Sequence, residues 1–120
     1  MISGVTHVTI PVKNQDLALQ FYTEKLGFEV LVDVEFGDQR WIELKIPGGE
    51  TQVVLFTPEE HKDRVGTFSN IVFMADDIHK TFKELKAKGV KFTKELTEES
   101  WGTFALFQDP EGNTFCLSSP

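Results

Sequence analysis

The sequence predicts an α+β fold: two tandem βαβββ modules forming curved mixed sheets around a cleft. Three observations carry the prediction. The order strand, helix, strand, strand, strand occurs twice in 120 residues. The halves also correspond in detail: "THVTIPV" matches "SNIVFMA", which sets His7 opposite Asn70, and Phe21 matches Phe82. Finally, a period near 60 residues with only two copies is no solenoid. It implies two units about a pseudo-twofold axis, each curling to form half of the cleft.

Each element has a local reason. "VTHVTIPV" alternates apolar and polar residues, as a half-buried strand does. In "KNQDLALQFYTEKLG", Asn14 or Asp16 caps a helix, Leu17, Phe21 and Leu26 form its apolar stripe, and Gly27 stops it. "FEVLVDVEF" and "QRWIELKI" read as strands joined by a tight turn at "GDQ", and "TQVVLF" follows the turn "PGGE". Residues 58–67 read as a polar, irregular connector between a first module of about 1–57 and a second of about 68–120. The pattern then restarts. "FSNIVFMAD" is a strand, and "DIHKTFKELKAKG" is a helix capped by Asp76 or Asp77, carrying Ile78, Phe82 and Leu85 on one face and ending at Gly89. "VKFTKEL", "WGTFALFQD" and "TFCLS" complete it, with "PEGN" as a turn.

Composition narrows the function. Eleven Phe, two Trp and one Tyr supply rings for a core or for a pocket that takes flat ligands. A net charge of −7 disfavours nucleic acid, which needs a basic face. It suits solubility, and a cationic ligand if there is one. A single cysteine, Cys116, allows no internal disulfide. The N-terminus lacks the basic and apolar regions of a signal peptide, and no apolar run approaches the ~20 residues of a membrane span. The expectation is a cytoplasmic protein with no membrane partner.

Three stretches carry a family resemblance: "THVTIPVKNQDLALQFYTEKLGFEV", "VFMADDIHKTFKELKAKGVKF" and "FQDPEGNTFCLSSP". The chain resembles the vicinal oxygen chelate superfamily, which includes glyoxalase I, bleomycin-resistance proteins, fosfomycin-resistance proteins and extradiol dioxygenases. Asp109-Pro110-Glu111-Gly112-Asn113 is similar to the family's D-P-[DE]-G-N turn. The resemblance implies the glyoxalase/bleomycin resistance/dihydroxybiphenyl dioxygenase-like fold over nearly the whole chain. It says little about reaction, since lyases, transferases, dioxygenases and pure binders share that fold. It also implies a homodimer.

In metal-dependent relatives, one ligand comes from the first and one from the last strand of each unit. Carried onto this sequence, these positions are His7, Leu55 (or Val53 if the register slips), Asn70 and Cys116. A divalent ion wants three or four donors converging at about 2 Å. One imidazole, one amide and one thiol do not supply them, so no cofactor is expected. The alternative is a divalent ion such as zinc, nickel or iron at an atypical site with His7 and Cys116. Strand parity, if His7 faces the cleft, sends Thr9 and Pro11 there too, with Phe68, Asn70, Val72 and Met74 from the second unit. The last strands are expected to add Val53, Leu55, Thr114 and Cys116. Trp41, Trp101 and Phe104 flank the cleft. The expected ligand-binding set is His7, Thr9, Leu55, Asn70, Met74, Trp101 and Cys116.

Plainer roles stand beside these. His7 would serve as a half-buried packing residue, Cys116 as a small hydrophobe, His61 and His79 as solvated groups, and Glu43 as a residue on a solvated face, with a cleft position as its alternative. Three functions follow. The first is a metal-independent binding protein that sequesters a small, partly apolar molecule. The second is a glyoxalase-like lyase or isomerase with His7 as its base. The third is an interaction domain with a vestigial cleft.

Overall fold

The computed structural model describes all 120 residues, which divide into two compact units, Met1–Val65 and Gly66–Pro120. Each unit holds one four-stranded mixed sheet with a helix on one face, as the repeat predicts.

In the first unit, β1 (His7–Ile10) leads to α1 (Gln15–Gln20), then β2 (Glu29–Phe36), β3 (Gln39–Lys45) and β4 (Gln52–Leu55). The strand order is β1-β4-β3-β2, with β1 and β4 parallel and the other pairs antiparallel. Asn14 is the cap of α1, accepting from the Leu17 amide at 3.0 Å. The helix continues as one wider π-turn over Phe21–Lys25, in which the Leu26 amide donates to the Phe21 carbonyl. Gly27 then ends it at φ 78°, the left-handed conformation that glycine adopts without strain.

The buried stripe of α1 differs from the expected one. Ala18, Phe21 and Tyr22 are buried, spaced i, i+3 and i+4, while Leu17 is 40% exposed. The small Ala18 faces the sheet in place of the larger Leu17, and the two adjacent rings of Phe21 and Tyr22 fill the interface. Gln15 ties the helix to the sheet. Its amide donates to the carbonyls of Arg40 (2.6 Å) and Leu55 (3.0 Å) and accepts from the Arg40 amide (2.9 Å). On the same face, the Arg40 guanidinium grips both carboxylate oxygens of Asp33 at 3.0 Å and also reaches Asp16. These bonds hold the Asp33 carboxyl below the ordinary carboxylate range. Residues of the expected irregular connector include a 3₁₀ segment, Glu59–Arg64.

The second unit runs β5 (Phe68–Met74), α2 (Ile78–Ala87), β6 (Lys91–Glu99), β7 (Gly102–Gln108) and β8 (Thr114–Ser118), in the order β5-β8-β7-β6. Asp77 caps α2 by accepting from the Lys80 amide, and Gly89 stops it at φ 86°. β6 is longer than expected, reaching Glu99. Trp101 lies in the turn before β7 rather than on a strand, a correction to the reading of "WGTFALFQD".

The turn at Asp109–Asn113 is closed by a buried polar knot. Asp109 accepts from the amides of Glu111 (2.9 Å) and Asn113 (3.0 Å), and from the Asn113 side chain at 2.8 Å. The Asn113 side-chain oxygen Oδ1 in turn accepts from the Gly66 amide at 2.8 Å, which pins the start of this unit to the turn. Asp109 and Asn113 are 5% and 2% exposed, so water cannot replace a lost partner. Asn113→Ala is therefore expected to cost about 1–3 kcal/mol, since it removes one hydrogen bond to the buried Asp109 carboxylate and one to the Gly66 amide. Urea unfolding of the two proteins side by side measures this.

Candidate functional site

Pairing register decides which side chains share a face. In the first unit Ile10 pairs with Leu55, and Leu55 with Ile42. All three are at most 1% exposed and lie on the helix-covered face. The opposite face is therefore the other parity: His7 and Thr9 from β1, Pro11 just past it, Val54 (itself fully buried) from β4, and Trp41 and Glu43 from β3. Phe36 at the end of β2 and Phe56 just past β4 join them by ring contact.

This corrects one expectation. Leu55 is not on the face of His7 but is wholly buried against the helix side, as is Val53. The position of the last strand that corresponds to Cys116 is Val54. Val54 pairs with Thr9 as Cys116 pairs with Val72, and Thr9 and Val72 are repeat equivalents. His7 and Thr9 do lie on the open face, half-buried and exposed respectively.

Rings dominate that face. Phe36, Trp41 and Phe56 form a triangle with centroids 5.3, 5.5 and 5.8 Å apart. The His7 ring meets Trp41 edge-on at 5.8 Å. Such spacings are those of favourable aromatic pairs. Glu43, expected on a solvated face, is half-buried among these residues. Its Oε1 accepts from the Trp41 indole N–H at 2.8 Å. The missed signal is the parity of "WIELK": Glu43 shares its face with Trp41, so a ring-bearing face carries the carboxylate as well.

On the second sheet, Val72 pairs with Cys116, Cys116 with Leu106, and Phe104 with Ser118. With exposed Phe68, Asn70 and Met74, these make the open face. Asn70 lies in an irregular stretch of β5 between the pairings Phe68–Thr114 and Val72–Cys116, and so lacks the regular pairing that His7 has. Trp101 stacks on Phe104 at 5.5 Å, and the Lys94 ammonium sits 5.7 Å above the Phe104 ring. Cys116 is half-buried, and burial pushes its thiol above the ordinary 9.0.

A pocket of about 350 Å³ also opens on the first unit, lined by Val12, Lys13, Asp38, Gln39, Thr57 and Lys62. Part of its polar lining is spent on the fold. The Thr57 hydroxyl donates to the Val12 carbonyl and accepts from its amide, and the Gln39 side chain bonds the Thr57 backbone at both ends.

The donor chemistry does not fit a metal centre of the family's kind. The four corresponding positions hold His7, Val54, Asn70 and Cys116, and no three His, Cys, Asp or Glu side chains converge. No helix is long and apolar enough to cross a membrane.

Two helix-backed βαβββ sheets with ring-bearing open faces define the class of paired-βαβββ proteins. The chain belongs to the Glyoxalase/Bleomycin resistance protein/Dioxygenase superfamily, which it matches over residues 4–117. It is 36% identical over 118 residues to YetH of Bacillus subtilis, covering 98% of each chain. It superposes with a TM-score of 0.89 on TnmS3, an antibiotic binding protein from Streptomyces sp. CB03234, at 30% identity and covering 99% of this chain and 97% of that one. It is also 29% identical over 125 residues to a probable lactoylglutathione lyase of Vibrio parahaemolyticus, covering 90% and 84% of the two chains.

The raised thiol makes Cys116 a poor nucleophile, because the thiolate is the reactive form. Its reaction with a disulfide reagent at neutral pH is expected to be slower than that of free cysteine. The rate should keep climbing as pH passes 9. A stopped-flow pH profile reads this, and a fast reaction at neutral pH would contradict it.

Proposed function

We propose that the protein binds a small, partly aromatic molecule on its open sheet faces and does so without a metal ion. The observation that carries this is the triangle of Phe36, Trp41 and Phe56 with His7 at its edge, on the face the helix leaves uncovered. Rigid rings bury ligand area at low entropic cost, and the few polar groups beside them orient it. Likeness over full length to an antibiotic binding protein supports the reading. Of the sequence-derived set, His7, Thr9, Asn70, Met74, Trp101 and Cys116 remain the proposed contacts, joined by Trp41 and Glu43. Sequestration alone is then the function, performed in the cytoplasm. The working form is a homodimer, C2 being the commonest closed assembly. Sedimentation equilibrium should return twice the chain mass, and the chain mass alone would refute that form.

The likeness to a probable lactoylglutathione lyase favours a second reading: a glyoxalase I-like enzyme with His7 as base and zinc, nickel or iron at an atypical site that includes Cys116.

A thermal-shift panel of planar aromatics, with acridine as its first member, separates the two. A ligand at a hundredfold excess over Kd stabilises by about 2.7 kcal/mol, which raises Tm by roughly 10 °C for a domain of this size. Trp41→Ala should weaken that ligand by about 2 kcal/mol, the loss typical of a central aromatic anchor. No shift from any member, or hemithioacetal turnover on adding zinc, nickel or iron, would overturn the binding reading.

A further inference from the structure

We infer that the open face of the first sheet selects an aromatic ligand that carries a positive charge beside its ring, and that Glu43 is the residue that makes the selection. The inference rests on the proposed binding function and names the ligand class for it.

Glu43 is half-buried. Its row across the sheet is otherwise uncharged: Thr9 on β1, Val54 on β4 and Val32 on β2. The neighbouring row carries the rings of Phe56 and Trp41. The indole N–H of Trp41 occupies one carboxylate oxygen. No ammonium, guanidinium or imidazole pairs with Glu43. Arg40, the next residue but two along β3, is turned to the helix face and held by Asp16 and Asp33. Lys45 is exposed and forms no ion pair with Glu43. The result is a carboxylate without a cation, bonded to the N–H edge of the Trp41 ring.

A cation seated there forms a charge-assisted hydrogen bond to the carboxylate, while the aromatic body that carries it packs on the Trp41 ring group. The net charge of −7 adds a favourable long-range field. The second sheet serves as an internal comparison. Leu106 stands where Glu43 would, paired with Cys116 as Glu43 is with Val54, and Phe104 stands in place of Trp41. The two faces share an architecture, but only the first carries a carboxylate at this position.

Calorimetric titration with two probes of one shape tests the inference: N-methylacridinium, a fixed cation, and acridine at mildly alkaline pH, where it is neutral. The protein should bind the cation at least about tenfold more tightly. Glu43→Gln keeps an oxygen for the Trp41 indole and should abolish the preference by weakening the cation alone. Equal affinity for the two probes, or a preference that survives in Glu43→Gln, overturns the inference and leaves the binding function standing. Binding of neither probe overturns the inference, and the full aromatic panel then decides the binding function. Should Glu43→Gln fail to fold, the unaltered protein still decides: added salt must weaken the cation and not acridine, and equal salt response refutes the charge selection.

Discussion

Leu55 is held between Ile10 on one side and Ile42 on the other, and that row sets the parity of the whole first sheet. All three side chains are sealed under the helix. Burying them there forces their neighbours along each strand, Thr9, Val54 and Glu43, onto the opposite face. A slip of one residue would exchange the faces, bringing Trp41 and Glu43 under the helix and moving Leu55 out of it. That exchange would bury an unpaired carboxylate and lose several fully buried aliphatic side chains, at about 1.5–3 kcal/mol each. The register is therefore strongly specified, and the composition of the open face follows from it.

The second unit repeats the frame and changes what it presents. Ala105 and Leu117 occupy the places of Ile42 and Leu55 and are buried in the same way. The caps recur as Asn14 and Asp77, and the helix stops as Gly27 and Gly89. Helix faces repeat because both must seal against a sheet. Open faces are free of that requirement, and they diverge: Trp41 becomes Phe104, Glu43 becomes Leu106, Val54 becomes Cys116. The chain thus separates positions that hold the fold from positions at liberty to meet a ligand.

Much of the fold was legible because its signals are local. Caps, glycine stops, the alternation of β1 and the repeat itself each lie within a short window. The face of β4 was not. "QVVLF" is a continuous apolar run with no alternation, so parity cannot be read from it, and pairing with β1 and β3 is needed to place Val54 outward and Leu55 inward. Glu43 was hidden for a related reason. A carboxylate alternating with Lys45 resembles an ordinary wet strand edge, and only the hydrogen bond from the Trp41 indole shows that Glu43 is tied to the ring-bearing face. In α1, residue size misled: Leu17 looks like core, yet close packing on the sheet selects the smaller Ala18. Trp101 belongs to a turn because the chain must reverse between β6 and β7, and the rings on both sides of Gly102 mask that break.

Glu43 also bears on why such a face persists. A half-buried carboxylate gives up part of its hydration, and a single hydrogen bond to a charged group offsets this by about 1.5–3 kcal/mol. A leucine there, as at position 106, would carry no such cost. Stability alone does not explain the choice. The indole bond does two things that a leucine could not: it holds the Trp41 ring in one orientation, and it leaves the second carboxylate oxygen with acceptor capacity. A fold under selection only to stay folded gains nothing from either. A face that must orient a ligand gains from both, since fixed rings and a fixed acceptor reduce the ordering left to be done on binding.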